Sequence, residues 1–98
     1  MTPLRVLHIN TERGWRGGEA QTLMLASGLL ARGHDALLAV AHGGELEARA
    51  REAGVPVRPY AFHGEFDLRA MLALARTVRT FRPDLLHAHT SHAVTLGT

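Results

Sequence analysis

The sequence contains no cysteine and no lysine. Without cysteine there is no disulfide framework, thiolate zinc site, iron–sulfur cluster or thiol nucleophile. A reducing cytoplasm is compatible with that composition. Without lysine there is no P-loop lysine, no Schiff base and no lysine nucleophile. Long apolar runs are also missing: none reaches the roughly 18 residues of a membrane span, and the N-terminus lacks the apolar stretch of a signal peptide. The expectation is a soluble cytoplasmic protein, with peripheral contact on the inner face of the membrane still open to it. No single sign of charge dominates. Eleven arginines face nine acids, for a formal net charge of +2, and they are spread along the chain, which is not a nucleic-acid-binding signature.

What is present is enough to fold. Of the 98 residues, 46% are hydrophobic, which places the chain among globular rather than disordered sequences. That length fits one small domain or a piece of a larger one.

The apolar residues fall into alternating patterns. Leu4 to Asn10 reads as a buried strand ending in polar Asn10-Thr11. A glycine turn follows, Gly14-Trp15-Arg16-Gly17-Gly18. From Glu19 to Arg32, Ala20, Leu23, Met24, Ser27, Leu30 and Ala31 predict one helix face, capped at its C-terminus by Gly33. Asp35 to Ala41 is almost wholly apolar, as in a strand covered on both sides. His42-Gly43-Gly44 leads into a short helix, Glu45 to Ala53, closed by Gly54. Val55 to Phe62 reads as a strand at a sheet edge, because it carries Pro56 and Pro59. Asp67 is a plausible N-cap for a helix that runs to about Arg82, with Leu68, Met71, Leu72, Ala75 and Val78 on its buried face and Pro83 beyond its end. Leu85 to Thr90 is a fourth strand, too apolar for an edge. The order βαβαβαβ implies right-handed crossovers and a parallel sheet. The expected fold class is therefore α/β, a Rossmann-like parallel sheet. Residues 1–98 are expected to be an incomplete N-terminal domain.

In such a sheet ligands bind at the rim formed by the strand C-termini. That rim holds Asn10, Thr11, the glycine turn, His42, Gly43, Gly44, His63, Gly64, His89 and Thr90. Gly17 and Gly18, between the first strand and the first helix, let the backbone approach a bulky anion where the helix offers N–H groups and the positive end of its dipole. The alternative is a tight turn that needs glycine for its own dihedrals. The segment lacks the G-x-G-x-x-G dinucleotide pattern, and the second strand ends in His42-Gly43-Gly44 instead of the acid that would hold a ribose. His87 and His89 alternate along a strand and could chelate a metal, but the nearest acid, Asp84, sits at the wrong end of that strand. No metal is expected, and His87 is expected to pack within the sheet while His89 and His92 reach the rim. Trp15 is either a stacking surface for a sugar or base or a staple holding the loop. Arg69, Arg76, Arg79 and Arg82 favour dipole compensation at a helix C-terminus over a membrane-binding face.

The ordered set Gly17-Gly18-Glu19-Ala20-Gln21, Leu29-Leu30-Ala31-Arg32-Gly33-His34-Asp35, Glu52-Ala53-Gly54-Val55-Pro56-Val57 and Pro83-Asp84-Leu85-Leu86-His87-Ala88-His89 resembles the opening of glycosyltransferase family 4. The resemblance spans essentially all 98 residues. It implies the N-terminal, acceptor-side domain of a two-domain GT-B enzyme, which transfers a sugar with retention from a nucleotide-diphosphate sugar and needs no metal. The acceptor would be a sugar, a lipid-linked or cell-envelope molecule, or a small molecule. It places the donor diphosphate at Gly17 and Gly18, and makes Glu19, Trp15, His89, Thr90 and His92 acceptor-side or cleft candidates. The family's acidic donor-site residues belong to the second domain, so the fragment alone is expected to be inactive. The competing readings are a non-catalytic α/β module binding a phosphorylated ligand at the glycine loop and, more remotely, a His-x-His metallohydrolase.

Overall fold

A computed structural model describes residues 3–15, 17–61 and 68–88. In chain order the elements are β1 (Arg5–Asn10), α1 (Gly17–Ala31), β2 (Asp35–Ala41), α2 (Glu45–Glu52), β3 (Val57–Tyr60), α3 (Leu68–Phe81) and β4 (Leu85–Ala88). All strand pairings are parallel, in the order β3-β2-β1-β4. The chain thus steps outward from β1 to β2 to β3, then crosses back to the other side of β1.

Register assigns the side chains to two faces. Leu7 pairs with Leu37, and His8 with Leu38 on one side and His87 on the other. On one face Ala36, Leu38 and Val40 join Ala26 of α1, Leu46 and Ala50 of α2 and Val55 in one cluster. On the other, Leu7, Leu37, Ala39 and Tyr60 are covered by Leu74, Val78 and Phe81 of α3. Alternate residues of β1 and β2 feed different clusters, which is why both strands read as continuous apolar runs. The proline-bearing β3 lies at an edge, as its sequence predicts.

The helix ends follow local chemistry. Gly33 and Gly54 take left-handed backbone, at φ 87° and 74°, just past α1 and α2, where a side chain would be strained. At the start of α2, Glu47 reaches back to accept a hydrogen bond from the Gly43 N–H at 2.8 Å and pairs with Arg51 at 3.0 Å. The Gly43 bond first, then Arg51, hold its carboxyl below the usual range against an opposing effect of burial.

Both long helices bury a different stripe from the one their periodicity predicts. In α1 the buried residues are Glu19, Thr22 and Ala26, while Leu23 and Leu30 pack from the side and Met24 is 73% exposed. That helix is apolar nearly all round, so its pattern carries no direction; small Thr22 and Ala26 let it sit close to the sheet. In α3 the sheet receives Ala70, Leu74, Thr77, Val78 and Phe81, while Leu68, Met71 and Leu72 stay exposed. The Thr77 hydroxyl meets the Tyr60 hydroxyl in the interior, on the same inward stripe. Strand β4 also departs from expectation. It lies at the open edge of the described sheet, with Leu85, Leu86 and His87 exposed. The expected N-cap, Asp67, lies outside the described residues.

Candidate functional site

The C-terminal rim of the sheet is organised around the connection from β1 to α1. Asn10, the last residue of β1, is 1% exposed. Its Oδ1 accepts from the Glu12 N–H at 3.0 Å, which turns the chain out of the strand. Its Nδ2 donates to Thr22 Oγ1 at 3.3 Å, and that hydroxyl donates in turn to the Gly18 carbonyl at 2.8 Å. One relay therefore ties the end of β1 to the first turn of α1. Thr22 is the member of this relay that the sequence does not single out. Its signal is faint: a threonine four residues after the glycine pair, placed for i−4 back-bonding.

The loop between them is held from α2 as well. The Glu45 N–H donates to the Arg13 carbonyl at 3.1 Å. A Cβ on Gly44 would stand 3.2 Å from Arg13 Cα and 3.3 Å from its carbonyl oxygen. Trp15 is half-buried against the α1–α2 cluster, and the Arg49 guanidinium lies over its ring at 4.1 Å. One ring face is thus already occupied, the arrangement of a loop staple with a cation–π cover.

The glycine pair itself is different. Gly17 and Gly18 open α1 in ordinary backbone geometry, and a Cβ at either would meet nothing within 4 Å. Among the described residues neither left-handed backbone nor crowding calls for glycine at these two positions. Next to them Glu19 is 5% exposed, with its Oε1 buried and without a hydrogen-bond partner among the described residues. A buried carboxylate oxygen that lacks a donor is costly unless something else supplies one. The first-turn N–H groups of α1 likewise have no acceptor within the helix.

The other sequence-predicted residues are dispersed. His42 is exposed at the end of β2. His89, Thr90 and His92 lie outside the described residues, as do His63 and Gly64. His87 is exposed instead of packed within the sheet, because no element covers its face of β4 among the described residues. Its ring lies 5.8 Å from that of His8. His8 is buried, and burial first, then the neighbouring His87, lower its pKa from 6.5 to about 4. Asp84 lies at the N-terminal rim: its carboxylate accepts from the Arg5 N–H at 2.9 Å, and its own N–H donates to the Arg5 carbonyl at 2.7 Å. That aspartate starts a strand. Among the described residues no three metal-ligating side chains converge.

Comparison with known proteins bears on the family and the fold. The family model of the glycosyl transferase 4-like domain matches residues 16–98, from the glycine pair through β4. The chain belongs to this family. Among solved structures, the glycosyltransferase-4-like chain is similar to a glycosyltransferase from Rickettsia africae ESF-5, with a TM-score of 0.76 at 16% identity, over 92% of this chain and 24% of that one. It is also similar to Anabaena HepE, solved in complex with UDP and glucose, with a TM-score of 0.69 at 22% identity, over 96% of this chain and 26% of that one. These likenesses establish the fold, an α/β parallel sheet matching part of GT-B glycosyltransferases. The glycosyltransferase-4-like chain spans about a quarter of each solved relative. No curated protein sequence matches it. No described helix is long and apolar enough to cross a membrane.

Proposed function

We propose that this chain is the N-terminal, acceptor-side part of a retaining glycosyltransferase that uses a nucleotide-diphosphate sugar. The observation that carries the reading is the glycine pair. Gly17 and Gly18 are glycines that the fold does not need, at a helix N-terminus on the rim where parallel sheets bind ligands. A diphosphate approaching the first-turn N–H groups does need them, because a Cβ would occupy the space it enters. The bound UDP and glucose of the HepE structure support a donor of this class.

In this reading the Asn10–Thr22–Gly18 relay and the Trp15 staple hold the loop in place before substrate arrives, so the N–H groups need not reorganise as negative charge develops on the departing diphosphate. Glu19, beside the glycine pair, belongs to the acceptor side of the cleft together with His89, Thr90 and His92. The acceptor is a sugar, a lipid-linked or cell-envelope molecule, or a small molecule, met in the cytoplasm or at the inner face of the membrane. A second domain supplies the remaining donor contacts, the reaction proceeds with retention and without a metal, and the 98 residues alone do not turn over.

The test separates binding from folding. Gly17→Ala and Gly18→Ala in the complete enzyme are expected to leave Tm unchanged or slightly raised, since alanine favours helix by up to about 1 kcal/mol over glycine. Donor kcat/KM is expected to fall about 10-fold or more, the loss of roughly one charge-assisted hydrogen bond. Unchanged donor kinetics would remove the assignment. A fall in phosphorylated-ligand binding with no transferase activity in the parent protein would favour the non-catalytic module.

A further inference from the structure

Helix α3 turns outward the large apolar side chains of its first half. Its sheet-facing stripe is Ala70, Leu74, Thr77, Val78 and Phe81. At about 100° per residue, Leu68, Leu72 and Arg79 fall nearly half a turn round the helix from Ala70. Leu68 is 69% exposed and Leu72 62%. Arg69 and Arg76 stand beside Leu72 on one margin of this outer face, and Ala75 beside Leu68 on the other. Exposed Met71 follows on the flank beyond Ala75. No acid occurs in the helix.

Position on the helix decides what can cover this face. In an α/β fold the helices form one layer over each face of the sheet, so a neighbour in that layer meets a flank of α3. Leu68 and Leu72 lie on the side away from the sheet, outside the layer however complete it is. Nor does the helix dipole account for all the arginines. Arg79 in the last turn offsets it, but Arg69 in the first turn stands where a cation is disfavoured.

We infer that the outer face of α3 rests on a bilayer surface that bears anionic phospholipid. Three observations choose this occupant. The face mixes leucines with arginines and carries no acid, which complements a layer of phosphates above hydrocarbon; the long arginine stems keep their guanidiniums among the headgroups while the leucines enter below. Helix α2 gives the contrast, because it pairs Arg49 with Glu45 and Arg51 with Glu47, as suits a helix that meets water. Finally, the apolar patch is a few side chains on two turns, small against the roughly 800 Å² per partner of a stable protein interface, whereas a bilayer takes a single helix face. None of this rests on the glycosyltransferase reading.

The test is flotation of the protein, expressed from its whole reading frame, with lipid vesicles. Binding is expected to vesicles of phosphatidylcholine that contain phosphatidylglycerol, and not to phosphatidylcholine alone. Joint substitution of Leu68→Ser and Leu72→Ser is expected to weaken it roughly 10-fold or more. Arg76→Gln with Arg79→Gln is expected to weaken it by a similar factor and to reduce its sensitivity to salt. Met24→Ser, at an exposed apolar position on α1, is the control and leaves it unchanged. No binding to the anionic vesicles, equal binding to both kinds, or binding that neither pair of substitutions alters would overturn the inference. So would a self-association that the leucine pair abolishes, which marks a second copy. The leucine pair is expected to leave Tm unchanged; a marked fall would place those side chains inside the molecule and overturn the inference as well. The assay contains neither sugar donor nor acceptor, so its failure leaves the glycine-pair assignment standing or falling by its own kinetics.

Discussion

His8 shows how one buried side chain makes the whole molecule sensitive to acid. In the folded protein it holds its proton only below about pH 4, because the ring is buried and faces His87. In the unfolded chain it protonates near its ordinary value of 6.5. Above pH 6.5 both states are neutral and the residue contributes no pH dependence. As pH falls from 6.5 toward 4, only the unfolded chain gains the proton, and stability is lost. The total is about 3 kcal/mol once pH passes below 4. Urea titrations at pH 7 and pH 4.5 are expected to show that loss developing, and His8→Leu is expected to flatten it. An unaltered pH dependence in the variant would place the acid sensitivity elsewhere. Glycine, at the same scale, has opposite meanings at different positions. Gly44 is glycine because Arg13 backbone stands against it, whereas Gly17 and Gly18 have open space. The sequence shows a glycine in each case; only the surroundings tell which one the packing of the fold requires.

At the level of elements, the joint between α3 and β4 concentrates strain and compensation. Arg82 follows the helix with φ 53°, left-handed backbone that side chains other than glycine adopt at a cost. Pro83 then stops the helix, and Asp84 locks the start of β4 to Arg5. The Arg5 side chain reinforces that corner, donating through Nε to the Phe81 carbonyl at 2.7 Å while its guanidinium lies over the Phe81 ring. Arg82→Gly is therefore expected to stabilise the protein by up to about 1 kcal/mol, read as a higher Tm. No gain would mean that the greater freedom of glycine in the unfolded chain cancels the relieved strain. Element boundaries were largely legible in the sequence, because their signals are local: Gly33, Gly54, Pro56 just before β3, Pro59 within it, and Pro83. Helix faces were not. In α3 the exposed apolar residues Leu68, Met71 and Leu72 and the apolar stripe that belongs to the sheet lie side by side, and periodicity cannot choose between them.

For the molecule as a whole, two hydrophobic clusters on opposite faces of one sheet share β2 as their common wall. Leu38 is fully buried at the centre of one of them. Leu38→Ala is expected to cost about 3 kcal/mol, the transfer of a leucine side chain plus the cavity it leaves. The apolar but exposed Met24 is expected to cost under about 0.5 kcal/mol on truncation to alanine. Equal losses in denaturant titrations would contradict the burial pattern and with it the orientation of α1. The same architecture sets the rim: β1 is central, so the turn after it lies between the ends of its neighbours, and the glycine pair comes to the middle of the C-terminal edge without any special device.

The sequence by itself determined the order of elements, the parallel sheet, the edge position of β3 and the glycine pair at the start of α1. Each follows from contacts between residues close in the chain, or from a strand's need to be covered on both faces. The tertiary structure alone decided which stripe of each helix is buried and that Thr22 relays Asn10 to Gly18. It likewise revealed the buried oxygen of Glu19, without a donor among the described residues, and the exposure of His87. These depend on distances between residues from different elements, and a pattern read along one chain segment holds no information about what lies across from it.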